Sequence, residues 1–256
     1  MGRVVFVGAG PGAADLITLR GARQLAQAQV VLYDALVDPA LRALAPHARW
    51  VAVGKRGYEP STAQVAINAL LVRHAAENDL VVRLKGGDPS VFGRLEEELE
   101  AMAAAGIETE VTPGVTAALA AAAATQRPLT RRGRGRSVSL STAVTNAHRL
   151  HGGRHADTEV FYMAGKQLGA LARSLLQQGW PEDTPALVVS RAGWPDQLHT
   201  GHLLCHLGQA SLVHAGRPAV VTVGAGAVPL GSAPLDLAPP SVTVDNHQGP
   251  VATPKP

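Results

Sequence analysis

The chain has 256 residues, 46% of them hydrophobic and 17% charged, which fits one large soluble domain or two small ones. Its net charge is only +3, and 4% aromatic content argues against a stacking platform for single-stranded nucleic acid. The single cysteine, Cys205, excludes an intrachain disulfide and a cysteine metal cluster; no apolar run reaches the ~18 residues of a membrane span, and no signal peptide is read at the start, so a cytoplasmic protein without membrane or nucleic-acid partners is expected.

Val4–Val7 reads as a buried strand that empties into Gly8-Ala9-Gly10-Pro11-Gly12-Ala13. A helical pattern is expected from Asp15 to about Ala28, then a strand over Val30–Tyr33 ending at Asp34. The spacing also satisfies G-x-G-x-x-A, with an acid roughly 20 residues on, as a dinucleotide site requires. Pro11 speaks against that reading, because it removes a backbone donor from the loop that would hold pyrophosphate. Trp50–Val53 is the next strand, followed by Gly54-Lys55-Arg56-Gly57. Ser61-Thr62-Ala63-Gln64 is a capping box before a helix over Val65–Ala76.

Leu80–Leu84 is an apolar strand broken only by Arg83, and it turns through Lys85-Gly86-Gly87-Asp88-Pro89. Two readings stand for that turn. It is either plain turn chemistry, with Asp88 capping a helix whose first residue is Pro89, or a ligand loop offering free backbone N–H groups at the strand's C-terminal edge. A helix over Glu96–Ala105 stops at Gly106, Ile107–Val111 is a strand, and an alanine-rich helix follows Thr116. Lys55, Arg56, Arg83, Lys85 and Arg94 place several cations at strand ends of one sheet edge.

Pro128-Leu129-Thr130 and the segment holding Arg131, Arg132, Arg134 and Arg136 interrupt the pattern. The second half repeats the alternation: strands at Val138–Thr142, Thr158–Met163, Ala186–Ser190 and Ala219–Val223, a helix over Leu168–Gln178, and a polar turn at Arg191–Gln197. Expected boundaries are a domain at 1–125, a linker at 126–136, a second domain at 137–228 and a disordered proline-rich tail at 229–256. The ten histidines show no metal-ligand spacing, and no G-x-S-x-G elbow is present.

Taken in order, Val7-Gly8-Ala9-Gly10-Pro11-Gly12, Tyr33-Asp34, Gly54-Lys55-Arg56, Arg83 to Pro89, Phe92-Gly93-Arg94, Pro113 to Ala117, Pro128-Leu129-Thr130 and Tyr162-Met163 resemble the tetrapyrrole methylase family over residues 4 to about 224. The resemblance implies an α/β fold of two α/β domains, an active site in the cleft between them, and a homodimer. It implies S-adenosyl-L-methionine as cofactor and uroporphyrinogen III as substrate, methylated at C2 and C7 to precorrin-2 for sirohaem or cobalamin. By position, it implies cofactor contacts at Pro11, Gly86, Gly87, Asp88, Val91, Thr116, Ala117, Met163 and Ala192. Asp34 and Lys55 fall on acid–base positions and Arg94 on a catalytic arginine. Arg56, Arg83, Arg131 and Arg132, with Arg94, are of the type that forks onto substrate carboxylates.

The sequence departs from the family pattern at Leu95, Arg131, Ala143, Ala164 and Ala192, where each added side chain is expected to narrow a ligand loop. An NAD or FAD oxidoreductase, a methylase of another precorrin, and a cofactor binder without catalysis stand as alternatives.

Overall fold

The computed structural model describes residues 2–54, 64–143 and 155–231. Lys55, Arg56, the Ser61 end of the capping box and most of the proline-rich tail lie outside the described residues.

The first sheet is built from β1 (Arg3–Gly8), β2 (Val30–Tyr33), β3 (Arg49–Ala52), β4 (Leu80–Lys85) and β5 (Thr109–Thr112), in the order β3-β2-β4-β1-β5. Every pairing is parallel. A parallel sheet covered on both faces requires continuous apolar strands, and β1 complies: Val4 to Val7 are fully buried. Alternation sends Val5 and Val7 to one face, where Leu25 of α1 (Leu19–Ala26) packs. Val4 and Phe6 go to the other, against Ile67 and Leu71 of α2 (Gln64–Glu77) and Met102 of α3 (Leu95–Ala104). The chain leaves β1 toward β2 and leaves β4 toward β5, so the order reverses between β1 and β4. Ligands of open α/β sheets bind outside the carboxyl ends of strands at such a point.

The second sheet holds β6 (Val138–Thr142), β7 (Thr158–Tyr162), β8 (Pro185–Ser190), β9 (Leu198–Leu203) and β10 (Ala219–Gly224), in the order β6-β7-β10-β8-β9. Only β6 and β7 are parallel; the remaining pairs are antiparallel. Its core is apolar, with Leu168, Leu171, Ala172 and Leu175 of α5 (Leu168–Gln177) forming one helical stripe against Phe161, Val188 and Val221. On the face of the second sheet turned away from α5 lies α4 (Ala117–Ala124), whose alanines pack on Leu187 and Val189 of β8 and on Val160 and Val220 of β7 and β10.

The structure corrects several sequence expectations. The helix after β1 does not open at Asp15, which sits in a 3-10 turn (Ala14–Leu16). It opens at Leu19, because Thr18 is extended and its Oγ1 accepts the Gly21 N–H at 3.1 Å. Asp88 and Pro89 do not start α3, which begins only at Leu95 behind Arg94. Strand β9 lay in no expected element: Leu198-His199-Thr200-Gly201-His202-Leu203 lacks an apolar period, and its pairing with β8 makes it a strand. The second half is therefore not a repeat of the parallel alternation. The arginine-glycine segment closes a tight turn in which the Arg131 N–H donates to the Gly135 carbonyl and the Gly135 N–H donates back.

Candidate active site

The glycine loops meet at the reversal point. The Gly10 N–H donates to the Gly87 carbonyl at 3.2 Å, and the Gly87 N–H donates to the Gly10 carbonyl at 2.7 Å. Gly114, after β5, lies so close that an added Cβ would stand 2.3 Å from the Gly87 oxygen and 2.8 Å from the Gly8 Cα. Only glycine permits three strand ends to approach backbone to backbone in this way. Asp88 fastens the junction: Oδ2 accepts the Gly114 N–H at 2.9 Å, while Oδ1 accepts the Ser90 N–H at 2.8 Å in an Asx turn.

These bonds take up the N–H groups of Gly10, Gly87 and Gly114, which are engaged with one another or with Asp88. The dinucleotide reading fails on two further counts. The loop does not lead pyrophosphate onto a helix N-terminus, because α1 begins only at Leu19. Asp34, the acid that would meet a ribose, is bound to Arg83.

Over this junction lies a cavity of about 230 Å³ lined by Pro11, Gly86, Gly87, Asp88, Val91, Thr116, Ala117 and Met163, together with Gly10, Leu36, Phe92 and Tyr162. A second cavity of about 190 Å³ adjoins it, sharing Pro11, Leu36, Ala117, Tyr162 and Met163, and adds Ala192 with Val189, Arg191, Trp194 and Val220. All the residues to which the resemblance gave cofactor contacts therefore line this pair of hollows. The first hollow carries the carboxylate and the glycine backbone; the second is walled by apolar side chains of the other sheet. Phe92, Met163 and Arg191 hold left-handed φ of 53°, 58° and 51° here. Bulky residues tolerate that conformation at a cost that clusters at ligand sites.

Tyr162 joins the halves. Its hydroxyl shares a hydrogen bond with Thr116 Oγ1 at 2.7 Å and accepts the Ala118 N–H at 3.3 Å, so a side chain of β7 caps α4. Its ring lies 5.0 Å from that of Phe92. Burial pushes the phenol's pKa up, against the smaller pull of the Thr116 bond, so it remains a neutral hydroxyl at physiological pH.

Beneath the junction sits a buried charge cluster. Glu98, fully buried on α3, accepts from Arg83 Nε at 3.1 Å and Lys85 Nζ at 2.6 Å. Arg83 Nη2 also reaches Asp34 Oδ1 at 2.5 Å, and its Nη1 donates to the Leu84 carbonyl at 3.2 Å. Burial, then the neighbouring Arg83, lowers the pKa of Lys85, with Glu98 opposing. The expectation that Arg83 forks onto a substrate is thereby corrected: its side chain is 3% exposed and its guanidinium is engaged internally. Arg131 is corrected likewise, for its guanidinium bonds the backbone carbonyls of Val228 and Pro229 and lines neither hollow. Arg132 is exposed.

Arg94 lines a wide open hollow at the start of α3 with Phe92, Gly93 and Glu97. Its Nε and Nη2 grip Glu97 Oε1 and Oε2, both at 2.7 Å, a bidentate pair that raises the arginine's pKa and lowers the carboxylate's. Ala143 and Ala164 do not narrow a ligand loop; both methyls are fully buried in the second-sheet core. Ala192 packs on Ala120, Ala121 and Val189 as well as facing the hollow. Leu95 packs against the first-sheet core.

Sequence reasoning missed Glu98, Glu97, Trp194 and the role of Tyr162. Glu97 and Glu98 were hidden within an acidic helix start. Tyr162 had one available signal, its place beside Met163 at a strand end. Trp194 sat in a segment read as a polar turn.

The tetrapyrrole (corrin/porphyrin) methylase family model matches residues 3–204. A uroporphyrinogen-III C-methyltransferase of Pseudomonas aeruginosa is 41% identical over 244 residues, covering 92% of this chain and 98% of the relative. A sirohaem synthase of Neisseria meningitidis is 42% identical over 233 residues, which are 87% of this chain and 47% of that protein. Among solved structures, the Thermus thermophilus uroporphyrin-III C-methyltransferase complexed with S-adenosylhomocysteine superposes with a TM-score of 0.77 at 38% identity, covering 88% of this chain and 98% of that one.

Proposed function

We propose a function from the premise that the chain belongs to the tetrapyrrole methylase family: it is an S-adenosyl-L-methionine-dependent uroporphyrinogen-III C-methyltransferase, adding methyl groups at C2 and C7 to give precorrin-2. The observation that carries this reading is the match to the Pseudomonas aeruginosa enzyme along nearly the whole of both chains. The cavity supports it, because the residues present fit such a donor. One hollow presents Asp88 and Thr116 to the polar amino-acid end, and the adjoining apolar hollow suits a flat heteroaromatic ring.

When bound, the cofactor supplies a methyl group already activated on a sulfonium. The chain's own task is then alignment, holding the acceptor carbon in line with that methyl. We assign the holding to Pro11, Gly86, Gly87, Asp88, Val91, Thr116, Ala117, Met163 and Ala192. Arg94, oriented by Glu97 and standing beside Phe92 and Gly93, takes a carboxylate of the polyanionic acceptor. Restoring the conjugated ring after methylation requires loss of a proton. Asp34, anchored by Arg83 and with its side chain 31% exposed, is our choice to accept it, with Lys55 as proton donor and Arg56 as a grip on substrate carboxylates, both outside the described residues. No helix among the described residues is long and apolar enough to cross a membrane. A cytoplasmic homodimer completes the reading, and light scattering on the purified protein tests the dimer.

The test of function is incubation with uroporphyrinogen III and methyl-labelled S-adenosyl-L-methionine. Label in the tetrapyrrole, with the mass of two added methyl groups, is expected. Label in a different precorrin alone would move the enzyme to another step, and none in any tetrapyrrole would end the reading.

A further inference from the structure

The segment after β8 is built like a strap. Left-handed φ at Arg191 and Gly193 turn the chain sharply. The Trp194 N–H then donates to the Arg191 carbonyl and the Gln197 N–H to the Trp194 carbonyl, both at 3.0 Å. Gln197 Oε1 accepts the Gly193 N–H at 2.9 Å. Asp196 takes Arg191 Nε at 2.7 Å and Arg217 Nη2 at 3.1 Å, and both contacts help hold its pKa low. The Arg191 guanidinium lies 4.4 Å from the centre of the Trp194 ring. A short turn with so many internal bonds holds its indole in one orientation.

That orientation is toward the other half of the molecule. Trp194 Nε1 donates to the Pro11 carbonyl at 3.1 Å, and the Ala13 N–H donates to the Gly193 carbonyl at 2.7 Å. The contact is close: a Cβ on Gly12 would stand 2.6 Å from the Gly193 carbonyl carbon and 2.7 Å from the indole Cδ1. The same indole forms a wall of the apolar hollow, beside Pro11, Met163 and Val189. Trp194 thus both lines the cavity and ties down the loop that carries Pro11.

We propose that Trp194 is an affinity-determining residue for the cofactor, giving the apolar hollow an aromatic wall for a purine ring and pinning Pro11 in place. This inference rests on the methyltransferase reading. A purine in this hollow shares it with the indole, so occupancy is felt by the tryptophan itself. The residue touches no part of the acceptor's hollow at Arg94, so it sets donor affinity and leaves the methyl-transfer step alone.

Three proteins test it by calorimetric titration with S-adenosylhomocysteine: the wild type, Trp194→Phe and Trp194→Ala. Loss of the aromatic wall weakens affinity about tenfold or more in Trp194→Ala. Phenylalanine keeps a ring but loses the N–H to Pro11, so Trp194→Phe loses only about threefold. Steady-state assays of Trp194→Phe should show a raised KM for the donor with kcat nearly unchanged; a fall in kcat with KM unmoved would overturn the assignment. In a Trp50→Phe/Trp180→Phe background, the remaining indole emission should change on adding S-adenosylhomocysteine. Unchanged emission, or wild-type affinity in a folded Trp194→Ala, would refute the proposal. If Trp194→Ala does not fold, the Phe variant and the emission experiment decide. Failure of the wild type to bind would instead strike the methyltransferase reading on which this rests.

Discussion

The two sheets differ in the polar groups that dominate their interiors. The first buries full charges: Arg83, Lys85 and Glu98, with Asp34 at their edge, balance one another under the β1–β4 junction. The second buries one carboxylate, Glu159, whose Oε1 accepts the His155 and Ala156 N–H groups at 2.6 and 2.9 Å, and otherwise neutral groups. His214, fully enclosed, bonds Ser190 Oγ at 2.8 Å and Thr200 Oγ1 at 2.9 Å, and His202 bonds the same Thr200 at 2.7 Å. A buried charge cluster stands only while every partner remains, whereas hydroxyl–imidazole chains tolerate loss at smaller cost. The difference matches a division of labour. The first half sets its ionic cluster beneath the glycine junction, and the second lines the adjoining hollow with apolar side chains, Arg191 and Trp194.

Breaking the charge cluster should do the most damage. Glu98→Gln leaves Arg83 and Lys85 without their shared carboxylate, and urea denaturation should show a loss of about 3–5 kcal/mol. A loss under about 1 kcal/mol would mean the cluster is not the fixed base described. Gly114→Ala strikes the junction above it. Its methyl meets backbone atoms of Gly87 and Gly8 that no rotamer change can move, so a loss of about 1–3 kcal/mol is expected, together with weakened S-adenosylhomocysteine binding. Unchanged binding would separate the junction from the site.

The seam between the halves is less costly to open. Tyr162→Phe removes the hydroxyl that caps α4 and pairs with Thr116, for about 0.5–1.5 kcal/mol in thermal or chemical denaturation. The smallest effect belongs to the second half. Burial, then His202 and Arg217, lower the pKa of His214 below 6.5. The unfolded imidazole takes a proton as pH falls below 6.5 while the folded one still refuses it, so stability declines with falling pH in that window and is complete above it. His74 and His202 are lowered from the same 6.5, so they add to the slope. His214→Gln should therefore flatten, without abolishing, the dependence of melting temperature on pH between 6.5 and 5.5. An unaltered slope would remove His214 from the account.

Much of this was legible in the chain. Apolar runs such as Val4–Val7 announced buried parallel strands, and the glycine loops after β1, β4 and β5 marked where they meet. The positions marked by the resemblance after β1, β4 and β5 converge because strand ends of one parallel sheet share an edge, whereas Met163 and Ala192 are brought in by the second sheet. What stayed hidden was pairing. Arg83 and Lys85 read as available cations, because nothing local says that Glu98, on a helix beyond the turn, folds back between them. Strand β9 carries its reason in β8 and not in its own residues. Trp194 gained meaning only when the Pro11 carbonyl, far away in sequence, proved to be its acceptor.

The claim at the centre is that the Gly10–Gly87–Gly114 junction, fastened by Asp88, forms the floor of a methyl-donor site. Calorimetry on the wild type and on Asp88→Ala tests it most directly. The wild type should bind S-adenosylhomocysteine and ignore NAD, and the folded variant should bind it about tenfold more weakly or worse. Tight NAD binding by the wild type with none of the homocysteine compound, or equal affinity in folded Asp88→Ala, would contradict it.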